Sequence, residues 1–249
     1  LSENDFYMIG LMIGDGHISK NSRQAHLTQH AVNNATSLEF VERYLTNVLI
    51  HTTHTIEDNK HRITWTMSDG FPITRSMIYQ ADEKIIHPSF LNLPEDKSLA
   101  LMKGIMESDG HIGVGKGEEL TLEMTSRNVI NGLRHICLRL GVLTSGYVRD
   151  RRGETHESNG KTFTCKKISY VLRIPKTEEI ITLLGLPKEN IGKFYKYFKY
   201  KKCLFSRVQS IEKNEYHGTL YDLQMNEVHD YMIHNGIIHN GGGKRNGSF

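Results

Sequence analysis

The sequence predicts an α+β fold made of two similar modules, each with the element order αββαββα, followed by a set of short β-strands. Three observations lead to this prediction. A segment that begins at Met8 recurs at Met102, an offset of 94 residues. A similar succession of strand-like and helix-like patterns follows each copy. After residue 202 the pattern changes to short apolar runs separated by turn signals, which is typical of strands.

The repeated segment is predicted to be a helix that ends at an Asp-Gly pair. Each copy carries small residues four positions apart, Gly10 with Gly14 and Gly104 with Ser108. Since glycine inside a helix costs roughly 1 kcal/mol relative to alanine, such a stripe favours close packing of the two helices. Parallel packing would bring Asp15 and Asp109 together at the C-terminal ends. Two converging carboxylates suit Mg²⁺ or Mn²⁺, although a single Asp-Gly pair is more often only a turn signal.

The other elements follow from hydrophobic periodicity. Helices are predicted at 36–49 and 128–140, and strands at 24–32, 51–56, 62–67, 113–125, 145–150 and 167–173. The lysine- and aromatic-rich run 193–202 is interpreted as an amphipathic helix, with a strip that follows a nucleic-acid backbone as the alternative. Further strands are predicted at 208–211, 220–223, 231–233 and 236–239, the last two joined by an Asn-Gly hairpin signal.

Composition narrows the class of protein. No apolar run reaches the roughly 18–20 residues of a membrane span, and no secretory signal is visible. Three widely spaced cysteines indicate no disulfide framework, so a reducing, cytoplasmic location in a phage, bacterial or archaeal host is expected. The net charge is +3, but residues 134–202 hold 16 Lys and Arg against 6 Asp and Glu, a local +10. This asymmetry fits a polyanionic partner or, equally, a solvated charged face.

The two segments 10–16 and 104–110 resemble the LAGLIDADG motif of homing endonucleases in the two-motif, single-chain form. Both copies keep the acid before the final glycine, while the earlier acid of the motif survives only as Glu107, with Ile13 in the first copy. The resemblance implies two four-stranded sheets that form a saddle over the major groove of a DNA target of roughly 20 base pairs. It also implies metal-dependent cleavage of both strands by a monomer with pseudo-dimeric symmetry.

The resemblance assigns site residues by position. The implied metal ligands are Asp15, Asp109, Gly14 and Ser108. Lys84 corresponds to a lysine that helps to position water, and Lys193 or Lys188 serves the second module. Gln29 corresponds to a glutamine near the metal-bound water, and its second-module counterpart is Ser126.

DNA contacts are expected from alternate strand residues, which share one face of a sheet. In the first module the candidates are Ser19, Arg23, His26, Thr28, His61, Arg62, Thr64 and Thr66. In the second module they are Lys116, Glu119, Thr121, Arg149, Arg151, Lys166 and Lys167. Arginine and lysine suit guanine edges, while threonine suits other bases.

Residues 229–240 resemble the C-terminal splicing blocks of inteins. By motif position, Asn240 would cyclise, His239 would polarise the scissile carbonyl and His229 would act as general acid or base. Gly241 stands where splicing needs Cys, Ser or Thr, and the N-terminal splicing blocks are missing, so an N-terminal intein half is an expected partner. Residues 241–249 resemble the large chain of class I ribonucleotide reductase, which would make them host sequence.

The sequence therefore predicts four parts: module 1 (1–98), module 2 (99–202), a C-terminal intein (Hint) segment (203–240) and a C-extein (241–249). Because the chain begins with Leu1 and carries this tail, it is interpreted as a piece of a longer precursor with host exteins. The predicted function is a site-specific homing endonuclease carried in an intein. The alternatives are a DNA-binding protein of the same fold that has lost cleavage and a purely self-processing domain.

Overall fold

The structure is a computed structural model that describes residues 1–111, 119–158, 161–188, 191–192, 197–201, 203–219, 221, 223, 230–233 and 236–239. Side chains are described in these ranges except at 158, 161, 230–233 and 236–239. The chain forms two compact units, Leu1–Phe205 and Ser206–Phe249. Within the described ranges, no helix is both long enough and apolar enough to cross a bilayer.

The first module is built on a four-stranded antiparallel sheet with the order β1-β2-β4-β3. Its elements are α1 (Glu3–Gly14), β1 (Gly16–Ile18), β2 (Gln24–His30), α2 (Ala35–Asn47), β3 (Thr52–Glu57) and β4 (Lys60–Thr66). α1 begins with a capping box, because the Ser2 hydroxyl accepts the Asp5 amide and the Asp5 carboxylate accepts the Ser2 amide. α2 buries Leu38, Val41 and Leu45, the helical period seen in the sequence.

The segment between β4 and the second module lacks the α-helix predicted to close the first module. It contains a hairpin of β5 (Tyr79–Gln80) and β6 (Glu83–Lys84), flanked by the 3₁₀ turns Arg75–Met77 and Pro88–Phe90. Ala81 adopts a φ of 54°, in the left-handed region, and Pro72 and Pro88 have no amide hydrogen to donate. A continuous helix cannot form across these positions, so the prediction of a closing helix was wrong for this module.

The second module repeats this architecture. Its elements are α3 (Glu95–Asp109), β7 (Gly110–His111), β8 (Leu120–Met124), α4 (Arg127–Arg139), β9 (Ser145–Arg149), β10 (Thr155–Ser158), β11 (Lys161–Thr164), β12 (Ser169–Ile174) and α5 (Glu178–Leu183). The sheet order β7-β8-β12-β9 matches that of the first module, so the duplication is present in the fold. β10 and β11 form a hairpin inserted between β9 and β12, and α5 closes the module.

Helices α1 and α3 pack in parallel through their small residues. A methyl group at Gly10 would lie 2.9 Å from the Cα of Gly104, and one at Gly14 would meet the Ser108 side chain. Real side chains do not approach this closely, so the contact requires glycine at both positions of the crossing. The packing predicted from the small-residue stripes is confirmed, and it places the C-terminal ends of both helices side by side.

Each sheet has one buried face and one exposed face. In the first sheet, Ala25, Leu27, Ile63 and Trp65 are buried together with the apolar side of α2. Since neighbouring residues of a strand point to opposite faces, the residues between them lie on the exposed face. The second sheet alternates in the same way along β8, where Leu120, Leu122 and Met124 are buried.

The region after α5 differs from the sequence prediction. Residues 197–200 are not helical but form β13 (Tyr197–Tyr200), which pairs with β14 (Cys203–Ser206). Phe198 of β13 stacks on Phe205 of β14 with ring centroids 5.1 Å apart. The alternation of lysines and aromatics fits a strand as well as a helix, and this cross-strand stacking favours the strand.

In the second unit, one predicted hairpin is present, whereas the described residues of two other predicted strands are not in strands. β15 (Asp230–Ile233) pairs with β16 (Gly236–His239) in antiparallel fashion, as the Asn-Gly signal predicted. Residues 208–211 are not in a strand, and neither are 221 and 223.

Candidate active site

Two carboxylates lie at the adjoining C-terminal ends of α1 and α3. Asp15 follows the last residue of α1, where its amide donates to the Leu11 carbonyl over 3.0 Å, and Asp109 is the last residue of α3. A methyl group at Gly16 or Gly110 would clash with a methionine of the preceding helix. In each module, therefore, the backbone after the acid can pass close to the end of its helix only because glycine follows the acid. The repeat thus determines where both acids lie.

Desolvation disfavours the charge on both acids, and repulsion by Asp109 adds to this effect at Asp15. The pKa of Asp15 is raised to about 6, mainly by burial and then by the nearby charge of Asp109. Burial also raises the pKa of Asp109, an effect that the Lys84 charge partly offsets. The C-terminal ends of two helices add further negative potential. A divalent cation would relieve all three effects at once.

Lys84, on β6, lies against this pair. Its ammonium donates to the Gly14 carbonyl, and burial lowers its pKa although Asp109 and Asp15 favour its charged form. The Ser126 hydroxyl donates to the Lys84 carbonyl over 2.6 Å and also caps α4 by accepting the Val129 amide. A residue of the second module therefore fixes the backbone of the lysine that the first module supplies.

Gln29 is buried beside Asp15. Its Nε2 donates to Asp15 Oδ2 over 3.1 Å, which lowers the pKa of the acid and so opposes the effect of burial. Its Oε1 is buried without a hydrogen-bond partner among the described residues. An oxygen left in this state next to a carboxylate suits a water molecule or a cation. The first module thus places one amide and one acid together, whereas Ser126 of the second module reaches Lys84.

An open cleft of about 370 Å³ lies beside Lys84, the lysine that contacts the end of α1. Lys84 and Ser126 form part of its wall, together with His17, Tyr79 and Lys167. Basic side chains from both modules converge here, as expected of a site that receives a phosphodiester. Sequence reasoning missed two further basic residues of this cleft, Lys20 and Arg75, both of which pair with Asp82.

The earlier acid of the second motif faces the other motif helix. The Glu107 carboxylate accepts a hydrogen bond from the Tyr7 hydroxyl of α1, and its backbone carbonyl accepts the Asn34 amide over 3.0 Å. Burial and Glu107 together raise the pKa of Tyr7, so the hydroxyl stays protonated as the donor. Glu107 therefore ties the two modules together.

Several predicted DNA contacts lie on the exposed face of the first sheet. His26 is paired with Thr64, and Thr28 with Arg62, whose Nε donates to the Thr28 hydroxyl over 3.1 Å. Arg23, just before β2, pairs with Asp69 over 3.0 Å. Arg62 is exposed, so its remaining guanidinium donors face solvent.

His61 was assigned to the wrong face. It alternates with Arg62 and shares the helix-facing side with Ile63 and Trp65, where it lies near Glu42 of α2. The prediction failed because a list of strand residues does not fix which of two neighbouring positions faces the core.

On the second sheet, Arg149 is held by Glu123, with the guanidinium 2.6 Å from the carboxylate. Arg173, which sequence reasoning missed, lies on the same face and stacks over Tyr147 at 5.2 Å. The signal that identifies it is the strand register, which pairs Arg173 with Ser145 and Thr121.

The remaining predicted residues lie in loops or outside the described residues. Arg151, Lys166 and Lys167 flank the β10–β11 hairpin, and the two lysines are exposed. Lys188 is exposed after α5. Ser108 donates its hydroxyl to the carbonyls of Gly104 and Ile105, both over 3.0 Å. The residues or side chains that fall outside the description are Lys116, Lys193, His229, His239 and Asn240.

Comparison with known proteins identifies one domain. Residues 96–199 match the family described as LAGLIDADG-like domain. The chain is also 31% identical over 186 residues to the ATP-dependent DNA helicase Hel308 of Methanocaldococcus jannaschii. This match covers 70% of this chain and 14% of the helicase. It is 23% identical over 256 residues to the iron-sulfur cluster assembly SufBD family protein ML0593 of Mycobacterium leprae, covering 94% of this chain and 28% of that protein. The chain thus spans less than a third of these relatives.

Solved structures share the fold. I-DmoI, as a variant bound to its target DNA in the presence of Mn, superposes with a TM-score of 0.52 at 15% identity, covering 76% of this chain and 96% of that chain. Full-length WhiA gives a TM-score of 0.50 at 12% identity, and the match covers 76% of this chain and 57% of WhiA. The chain therefore contains a LAGLIDADG-like domain and has the fold of the single-chain homing endonuclease I-DmoI.

Proposed function

We propose that the unit Leu1–Phe205 is a site-specific DNA endonuclease that cuts both strands with the help of a divalent metal. The observation that carries this proposal is the convergence of Asp15 and Asp109 at the ends of two parallel helices, where desolvation raises the pKa of each acid. A structural role alone gives no reason to keep two carboxylates in a place that opposes their charge.

The residues present fit a hard divalent cation. Two carboxylates and the unpaired Gln29 Oε1 are oxygen donors, the ligands that Mg²⁺ and Mn²⁺ prefer. Asp15 and Asp109 would hold the ion, with the backbones of Gly14 and Ser108 beside them. When bound, the ion would polarise the phosphodiester and lower the pKa of water at the site. Structures of I-DmoI with its target DNA were solved with Mn and with Ca.

The protein's own residues supply positioning and charge. Gln29 orients the Asp15 carboxylate and leaves an oxygen free to accept a hydrogen bond from water. Lys84 places a positive charge beside the acids, where it can stabilise the charge that develops on the phosphate. Lys193 or Lys188 is proposed for the same task in the second module.

DNA recognition is proposed for the exposed faces of the two sheets. Arg62, Thr64 and Arg149 would contact base edges or phosphates, and Lys116, Arg151 and Lys166 would extend the contact from loops. One chain has two modules, so it would cover a double-stranded site of roughly 20 base pairs as a monomer with pseudo-dimeric symmetry.

The test separates binding from cleavage. A supercoiled plasmid that carries the uninterrupted host coding sequence is incubated with the full chain, with Ca²⁺ for gel-shift binding and with Mg²⁺ for cleavage. The double variant Asp15→Asn, Asp109→Asn should bind but not cut, whereas Asp58→Asn, an exposed acid in the β3–β4 turn, should do both. Binding without cleavage by the parent chain would instead favour a DNA-binding protein of this fold, as the likeness to WhiA allows.

We further propose that residues 203–240 are the C-terminal part of an intein and that 241–249 are host sequence, from a ribonucleotide reductase large chain. The supporting observation is that relatives with unrelated names, a DNA helicase and an iron-sulfur assembly protein, each match nearly the same segment over a small share of their length. An element inserted into different hosts has this property. Such an element, with its host exteins and an N-terminal intein half, would act in the cytoplasm.

The processing proposal assigns Asn240 as the cyclising residue, assisted by His239 and His229. Since Gly241 cannot act as a nucleophile, the expected reaction is C-terminal cleavage rather than complete splicing. Mass spectrometry of the purified chain should show loss of residues 241–249, and Asn240→Ala should retain them. Retention of these residues by the unsubstituted chain under all conditions would refute this assignment.

A further inference from the structure

Two histidines and a glutamate meet on the helix-facing side of the first module. In the β3–β4 pairing His54 is opposite Ile63 and His61 is opposite Ile56, so the two histidines are diagonal neighbours on one face. Glu42 reaches them from α2, which packs on that face. His54 Nδ1 lies 3.0 Å from His61 Nε2 and 3.5 Å from Glu42 Oε1, and the last two atoms are 4.0 Å apart.

We propose that Glu42, His54 and His61 bind one transition-metal ion, with Zn²⁺ as the expected metal. In a tetrahedral zinc site with bonds of about 2.0–2.1 Å, neighbouring ligand atoms are about 3.3 Å apart. The three observed separations, 3.0, 3.5 and 4.0 Å, scatter around this value. Small side-chain rotations would therefore bring all three atoms to bonding distance of one ion.

The surroundings of His54 support its role as a ligand. Its Nε2 lies 3.0 Å from the Thr52 hydroxyl, which can accept the ring N–H. With the hydroxyl as acceptor, the ring keeps a lone pair on Nδ1, the atom that faces Glu42 and His61. A histidine ligand that donates its other N–H to an oxygen is the usual arrangement around zinc.

The ligand set separates this site from the acid pair. Imidazole nitrogens suit Zn²⁺, Co²⁺ and Ni²⁺ but not Mg²⁺, whereas the acid pair offers only oxygen. The side chains of His54 and Glu42 are 37% and 43% exposed, so an ion can enter from solvent and keep a water as its fourth ligand. His61 is 13% exposed, which anchors the site on the sheet.

Such an ion would fasten α2 to the β3–β4 hairpin. The opposite face of that hairpin carries Arg62 and Thr64, so the ion would lie away from the proposed DNA contacts and would not take part in cleavage. We expect it to stabilise the sheet that presents them. The alternative is a hydrogen bond between the two rings with no metal.

The experiment uses the full chain with Asp15→Asn and Asp109→Asn in a buffer with excess Mg²⁺, so that the acid pair does not compete for zinc. Calorimetric titration with ZnCl₂ should give one equivalent of tight binding, and Co²⁺ should give the absorption bands of a tetrahedral ion. At a hundredfold excess over Kd, Zn²⁺ should raise Tm by about 5–10 °C. His54→Gln, His61→Gln and Glu42→Gln should each weaken binding at least about tenfold.

His51→Gln is the matched control, because His51 is an exposed histidine just before β3. It should bind zinc as the parent does. Circular dichroism checks that each variant is folded, and Glu42→Gln keeps the size of an exposed side chain. Absence of stoichiometric zinc binding would overturn the proposal in favour of the hydrogen-bonded histidine pair. Zinc binding that survives both histidine substitutions would overturn it as well, because the ion would then lie elsewhere.

Discussion

Replacing Gly104 with alanine puts a methyl group into the contact between α1 and α3. That methyl carbon would lie 2.8 Å from the Leu11 nitrogen and 2.9 Å from the Gly10 Cα, and it would also meet the Tyr7 carbonyl. Ordinary contacts between such atoms are about 3.5–4.0 Å long. All three neighbours belong to the backbone, so the helices have to separate by about 1 Å.

The loss of stability caused by Gly104→Ala follows from the packing on both sides of this helix contact. A gap of about 1 Å forfeits up to half of the dispersion energy between facing atoms, and the seam includes the fully buried Leu101, Met102 and Ile105. Overpacking of this kind costs about 3 kcal/mol, the upper end of the usual range, while alanine returns about 1 kcal/mol of helix propensity. A net loss of about 2 kcal/mol in the free energy of unfolding corresponds to a fall in Tm of about 4–8 °C.

Thermal unfolding followed by circular dichroism measures this loss. Gly70→Ala is the control, because a methyl group there meets no described atom within 4 Å. Its Tm should stay close to that of the parent chain. Plasmid cleavage by Gly104→Ala should fall more than DNA binding, since helix separation moves Asp15 away from Asp109. An unchanged Tm together with full cleavage would refute the account of the helix contact.

Three other substitutions test the acid pair and the DNA-facing surface. Because folding raises the pKa of Asp15 from 3.8 to about 6, ionisation of this acid destabilises the metal-free fold progressively between these two pH values and fully above about pH 6. Asp15→Asn should therefore add about 1–3 kcal/mol to the free energy of unfolding at pH 7 and little at pH 4, as measured by denaturant titration. Gln29→Ala removes a donor that lowers this pKa, so the acidic limb of the pH–rate profile should move to higher pH. Arg62→Ala should reduce the dependence of log K for DNA on log salt by about 1, while Arg43→Ala, on the exposed side of α2, should not.

The parts of the fold and site that the sequence predicts are those set by local pattern. Asp15 and Asp109 follow from a repeated motif, and the contact of Gly10 with Gly104 follows from glycines that a helix otherwise disfavours. His61 was misplaced because the pairing of β4 with β2 and β3 decides which face it joins. Such a register depends on residues that are distant in sequence.

Two other differences between the sequence prediction and the structure also arise from contacts between residues on different strands. The run around Phe198 fits a period of two as well as a helical one, and only its contact with Phe205 favours the strand. Arg173 was missed because its place beside Tyr147 depends on the pairing of β12 with β9. Side chains brought together by strand pairing therefore need the structure.

The two modules carry different residues, Gln29 and Ser126, at corresponding positions, and this difference has a kinetic consequence. Gln29 of the first module holds Asp15, whereas its counterpart Ser126 holds the backbone of Lys84, and no amide among the described residues matches Gln29 at Asp109. If each acid serves one phosphodiester, the two bonds are attacked in unlike surroundings. We therefore expect the strands to break one after the other, with nicked circular plasmid accumulating before the linear product, so that a symmetric architecture yields an ordered reaction.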